Sequence, residues 1–228
     1  DITPAWSFNG FISGDTSATI AYTGRNYNTA NVTTANLITV SGLSITSVAG
    51  GNSSAPEDYV LDSTTKTVNA TITPKTVSLA VASKVYDAST DMTGYVSITT
   101  GVGGETLTYN GATSNDAHVA TADKYLNAIT LGNASDGSGG LASNYQLPTL
   151  NVANAPISIT PKTVSLAVAP KVYDASTDMT GYVSITTGVG GETLTYNGAT
   201  SNDARVATAG KYLNAITLGN ASDGSGGL

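Results

Sequence analysis

The sequence predicts an all-β protein, built as tandem small β domains in an elongated array. Three observations carry this reading. Apolar residues alternate with small or polar ones at a period of two, as Val77, Leu79 and Val81 do with Thr76, Ser78 and Ala80, which gives a strand one inward face. No stretch offers a clean 3.6-residue apolar pattern with capping residues. Residues 71–141 recur at 158–228, an offset of 87, and only four of the 71 aligned positions differ: Thr71/Ser158, Ser83/Pro170, His118/Arg205 and Asp123/Gly210. Self-similarity at a fixed period is the signature of a repeat architecture. Two topologies fit such strands, an Ig-like sandwich and a β-grasp-like sheet, and both stay open.

Taken in order, residues 77–81 form the first strand of the repeat, followed by strands over 95–99, 106–109 and 125–131. Gly101–Gly104, Asn110-Gly111 and Asn133–Gly140 punctuate them with residues that tolerate positive φ. Gly101–Gly104 fits a hairpin or bulge better than a phosphate-binding loop, because no helix follows it. Tyr145-Gln146-Leu147 and Ile157-Ser158-Ile159 close the unit. The one segment compatible with a short helix is Asp116–Lys124.

Between units the apolar parity changes. Val68, Ala70 and Ile72 occupy even positions, whereas Val77, Leu79 and Val81 occupy odd ones; Ile157 and Ile159 give way likewise to Val164, Leu166 and Val168. With two-residue alternation the chain leaves one core and enters another. Ile-Thr-Pro-Lys marks the change, so Pro74, Lys75, Pro161 and Lys162 are the expected domain joints, stiffened by proline. The expected domains are 1–73, a divergent repeat lacking its first strand; 74–160, a complete repeat; and 161–228, a near-identical repeat lacking its last strands. Half-built β domains expose edges, so strand addition from neighbouring subunits into a filament is an alternative to a simple array.

Composition narrows the function. Charged residues make up 11% of the 228 and the net charge is −7, against nucleic acid or an anionic membrane as partner. There is no cysteine, hence no disulfide or thiolate metal site. No apolar run approaches the ~18–20 residues of a membrane-spanning helix. The only histidine, His118, is replaced by Arg205 in the second copy, so it is no shared general base, and no enzyme activity is expected.

Three candidate sites remain. Asp87, Asp91 and Asp136, with their counterparts Asp174, Asp178 and Asp223, have residue types that suit calcium, though without EF-hand or nonapeptide spacing; solvated turn carboxylates are the alternative. Lys84 and Tyr86 (with Lys171 and Tyr173) lie two apart on one strand face, as a carbohydrate-stacking platform or as a tyrosine packed over the domain edge beside a snorkelling lysine. An intramolecular Lys–Asn cross-link would need Lys75 or Lys124 to meet Asn127 and Glu105. Trp6, Phe8 and Phe11 read as the core of the divergent repeat.

Lys84-Val85-Tyr86-Asp87 and Lys171-Val172-Tyr173-Asp174 resemble the opening of the bacterial YDG repeat. The likeness continues through Gly-Val-Gly-Gly-Glu-Thr at 101–106, Ser143-Asn144-Tyr145 and the closing Ile-Thr-Pro-Lys. Ala88 and Ala175 stand where that family usually has glycine. The segment from Pro4 to Thr16 resembles the related MBG repeat, entered after its first strand. The resemblance implies tandem arrays in large secreted or surface-bound bacterial proteins, often adhesins similar to filamentous haemagglutinin. It thus implies an extracellular stalk, with adjacent repeats or neighbouring subunits as partners, no cofactor beyond the calcium alternative, and a host or matrix glycan as a further partner.

Overall fold

The structure is a computed structural model that describes residues 5–224. Residues 1–4 and 225–228 lie outside it, among them Pro4 of the MBG-like motif and the outer ends of the first and third expected domains. The described chain is nearly all β. Its strands are β1 (Asp15–Ala21), β2 (Gly24–Tyr27), β3 (Leu37–Ser41), β4 (Ser44–Gly50), β5 (Thr65–Asn69), β6 (Lys75–Thr76), β7 (Ser78–Val81), β8 (Lys84–Val85) and β9 (Val96–Thr99). There follow β10 (Thr108–Ser114), β11 (Leu126–Gly132), β12 (Tyr145–Gln146), β13 (Ile159–Thr160), β14 (Ser165–Val168), β15 (Val183–Thr186), β16 (Thr195–Ser201) and β17 (Leu213–Gly219). The chain divides into two compact units, Asp1–Thr76 with Gly140–Gln146 and Val77–Gly139 with Leu147–Leu228.

In the first unit β1 pairs antiparallel with β4, β2, β3 and β5 form an antiparallel sheet, and β6 runs parallel to β12. Alternation in β3 turns Ile38 and Val40 inward, where they meet Leu43, Trp6, Ile20, Leu61 and Ala70. Trp6 thus joins this core as expected. Phe8 and Phe11, both half-buried, lie outside that cluster and form a tilted pair 5.5 Å between centroids, and Phe11 meets Tyr59 edge-on at 5.3 Å.

In the second unit β7 pairs antiparallel with β9 and β10 with β11, while β8 and β13 form a short parallel pair. Met92, Leu126, Ile129, Ile157 and Ile159 make its larger core, with Leu79 and Val81 packed against it. Ala70 and Leu79, on opposite parities, therefore belong to different cores. Eighty-seven residues on, β14 pairs with β15 and β16 with β17, and every register matches: Leu79↔Ile98 becomes Leu166↔Ile185, and Tyr109↔Leu131 becomes Tyr196↔Leu218. Met179, Val183 and Ala199 form a separate, smaller core there.

Three local expectations are corrected. Asn110-Gly111 is no turn but lies within β10, where the register shifts between Asn110 and Thr113. Gly111 takes φ 62°, the left-handed residue that a bulge of this kind needs, and the extra residue turns Ala112 fully into the core. Gly101–Gly104 is neither hairpin nor bulge: β9 pairs with β7 and β10 with β11, so the glycines connect strands of different sheets. Residues 116–124 form turns, not a helix. Asp116 Oδ1 accepts the His118 amide, the Lys124 ammonium bonds the Val119 and Thr121 carbonyls, and Asp123 sits at φ 55°. Local side-chain bonds of this sort offer the backbone an alternative to helix. The short 3₁₀ turns lie elsewhere, at Pro56–Asp58 and Ala142–Asn144.

Candidate functional site

The Lys-Val-Tyr-Asp motif opens the richest polar cluster in the second unit. Lys84 starts β8 and is only 2% exposed. Rather than snorkelling outward, its ammonium turns into the following loop. It donates to the Ser89 carbonyl at 2.9 Å and the Asp91 carbonyl at 2.7 Å, and pairs with Asp87 Oδ1 at 2.8 Å. The loop is closed by its own side chains: Asp87 Oδ1 accepts the Ser89 amide, Ser89 Oγ the Asp91 amide, and Asp91 Oδ1 both the amide and the hydroxyl of Thr93. Ala88 takes φ 62°, so the tight turn for which the resembling family uses glycine is made here by alanine. Lys171 repeats the pattern, with the Asp178 carbonyl at 2.5 Å, Asp174 Oδ2 at 2.8 Å and Ala175 at φ 62°.

Two carbonyls and a carboxylate around a positive charge are the ligand types that a calcium ion would use. In this loop the lysine ammonium takes that place. Burial pushes the Asp87 carboxyl up, but Lys84 and the Ser89 amide outweigh it and hold it below the ordinary range. The Thr93 hydroxyl and amide hold Asp91 down in the same way, as Thr180 does Asp178. Lys171 with the Ser176 amide lowers Asp174. Asp136 accepts the Ser138 amide on one oxygen and the Thr106 hydroxyl on the other, and is lowered by them; Asp223 accepts Thr193 Oγ1 at 2.8 Å. Among the described residues no three acidic or histidine side chains come together as a metal-binding group.

Tyr86, two residues beyond Lys84, is half-buried against the larger core. Its hydroxyl donates to Glu192 Oε1, 106 residues away. Burial, then the Glu192 hydrogen bond and charge, push the phenol up to about 12. His118 stacks beside it with centroids 6.3 Å apart and pairs with Asp116 at 3.1 Å. Tyr86, His118, Pro161, Lys162, Val189 and Glu192 line a cavity of about 390 Å³, which places the joint residues Pro161 and Lys162 on its wall. In the second copy Tyr173 is 59% exposed. Tyrosine and lysine thus diverge: the lysine locks a loop and the tyrosine reaches the next copy.

The remaining candidates separate. Lys124 spends its ammonium on the two carbonyls named above, Asn127 is exposed and Lys75 lies exposed in β6, so the cross-link residues are not assembled. Pro74 precedes β6, and Lys75 pairs with Tyr145 in the first unit. The Ser-Asn-Tyr motif has a role that the sequence reading missed: Asn144 accepts the Val32 amide at 2.9 Å and donates to Asn31 Oδ1 at 3.1 Å, while Tyr145 is buried. No protein-family model, curated protein or solved structure matches the chain.

Proposed function

We propose that this chain is a repeat segment of an extracellular bacterial surface fibre or adhesin stalk, an array of small β domains that holds a distal region away from the cell. Its work is mechanical, and no side chain is assigned a catalytic role. The observation that carries the reading is the identity of strand register, bulge and lysine-locked loop at an offset of 87 residues. What has been copied is the framework: loop carboxylates are spent on their own amides, hydroxyls and lysines, which suits a spacer better than a ligand site. The resemblance of Lys84–Asp87 and its surroundings to YDG repeats supports the bacterial surface. Each additional copy adds length without needing a new surface, the property expected of quasi-one-dimensional repeat proteins.

The test is the denatured size of the protein as made by its source cells, read on a gel with antibody raised to residues 71–158. The proposal expects a band many times larger than these 228 residues. A band at their own mass would replace the stalk with a discrete subunit.

A further inference from the structure

We propose that one loop of each repeat is the docking site for the Ser-Asn-Tyr turn of the repeat that follows it, and that the loop's fourth residue selects the turn. That the turn comes from a following repeat rests on the array reading. One such pair is seated in the first unit. Ser143-Asn144-Tyr145 belongs by sequence to the repeat over 74–160, but residues 140–146 fold into the first unit. Asn144 reads the loop between β2 and β3 at two points: its Oδ1 accepts the Val32 amide at 2.9 Å, and its Nδ2 donates to Asn31 Oδ1 at 3.1 Å. Tyr145, next along, is buried and pairs with Lys75. The contact asks for a backbone N–H and a side-chain acceptor, offered side by side.

The loops between β10 and β11 and between β16 and β17 are built to the same plan. All three read Asn-x-Ala-X-Val-x-Thr, at 28–34, 115–121 and 202–208. The first asparagine closes each loop. Asn28, Asn115 and Asn202 donate their amides to the carbonyls of Leu37, Tyr125 and Tyr212, and their Oδ1 atoms accept the amides of the same three residues. The second residue accepts the amide of the fourth, as Thr29 does from Asn31, Asp116 from His118 and Asp203 from Arg205. The closing threonine bonds that second residue in each loop. Position four is therefore held alike, and Asn31, His118 and Arg205 differ in what they offer. Asn31 offers a carbonyl oxygen. His118 gives Nδ1 to Asp116 at 3.1 Å, and a neutral imidazole that donates from one nitrogen accepts at the other. Arg205 offers donors only. The first two loops thus suit asparagine, whereas the Arg205 loop suits a carboxylate, which accepts from the guanidinium and the Val206 amide together. His118/Arg205 is one of only four differences between the copies, and it falls on the selecting position.

The experiment reads hydrogen exchange at the Val32 amide of the intact chain near pH 8, with Ile38 and Val40 of β3 as reference amides. Asn144→Ala should speed Val32 exchange about tenfold, the effect of one hydrogen bond, and leave the reference amides unchanged. Asn31→His brings the first copy's residue into the seated pair and should keep the protection within about threefold, since one acceptor replaces another. Asn31→Arg should lose it about tenfold, because donor then faces donor. Adding Asn144→Asp to Asn31→Arg should restore it, which no loss of packing would do. Three results would overturn the proposal: Val32 exchange indifferent to Asn31→Arg, no recovery on adding Asn144→Asp, or losses that reach Ile38 and Val40 equally. The last would make residue 144 a support of the whole unit. The array reading fails separately: a gel band at the mass of these 228 residues would remove the following repeat, whereas indifferent exchange would remove the selecting residue and leave the array.

Discussion

Replacing Tyr86 by phenylalanine removes one hydroxyl and leaves the ring, so it isolates the contact with Glu192. A hydrogen bond to a charged group contributes about 1.5–3 kcal/mol. Both partners are half-exposed, and solvent reduces that to about 1 kcal/mol. The titration gives a parallel figure. The phenol is pushed up to about 12 from 10.0, a gap whose ceiling is about 2.7 kcal/mol and which screening again brings towards about 1 kcal/mol. The sign follows from the proton: the folded state favours neutral Tyr86, so this stabilisation is complete below pH 10 and is lost as pH rises towards 12. Denaturant unfolding near neutral pH should therefore show the midpoint falling for Tyr86→Phe with its slope unchanged. The alkaline loss between those pH values should be absent from the variant. The second copy supplies the control, because Tyr173 is 59% exposed and Tyr173→Phe should cost under about 0.5 kcal/mol. Equal effects from both substitutions would refute the reasoning, since sequence alone gives the two tyrosines the same surroundings.

Lys84→Ala strips the ammonium from two carbonyls and a carboxylate and should lower stability by about 2 kcal/mol; Lys171→Ala, with a less covered ammonium, should cost about half as much, both read by denaturant melts. Ala88→Gly should do the opposite. It relieves a left-handed alanine worth about 1–2 kcal/mol against the greater freedom of unfolded glycine, about 0.4–1 kcal/mol, leaving a gain of about 0.5 kcal/mol in the same assay. Acid should unfold the chain from one direction: Asp91, Asp136 and Asp178 are held below 3.8 by hydroxyl and amide donors, so their contribution is complete above that pH and is lost as pH falls through the lowered values. Circular dichroism should stay flat down to about pH 4 and change only below it; loss of structure already at pH 6 would contradict this.

Much of the strand pattern was legible because it is local. Val77, Leu79 and Val81 carry their period on their face, and 95–99 and 125–131 fall within a residue of β9 and β11. The misreadings came where a local signal serves two geometries. Asn-Gly marks a hairpin turn and also supplies the left-handed residue of a bulge, and only pairing with β11 decides between them. Residues 116–124 have a composition that tolerates helix until Asp116 is seen to bind the His118 amide. The parallel pairs β6–β12 and β8–β13 are two residues long with partners 70 or more positions away, and no periodicity announces them. The candidate site divided likewise. Lys84 and Tyr86 share a strand face in the sequence, but the turn of the lysine into its own loop to meet Asp87 and the pairing of Tyr86 with Glu192 had no local signal.

The central claim is that each copy is a unit of length, and the most direct measurement is small-angle scattering from chains carrying one, two and three further copies of residues 74–160. With strands of five to seven residues, the account predicts that the maximum dimension grows by a constant ~25–45 Å per copy. A dimension that grows only as the cube root of mass, with the added copies folding back on one another, would contradict it.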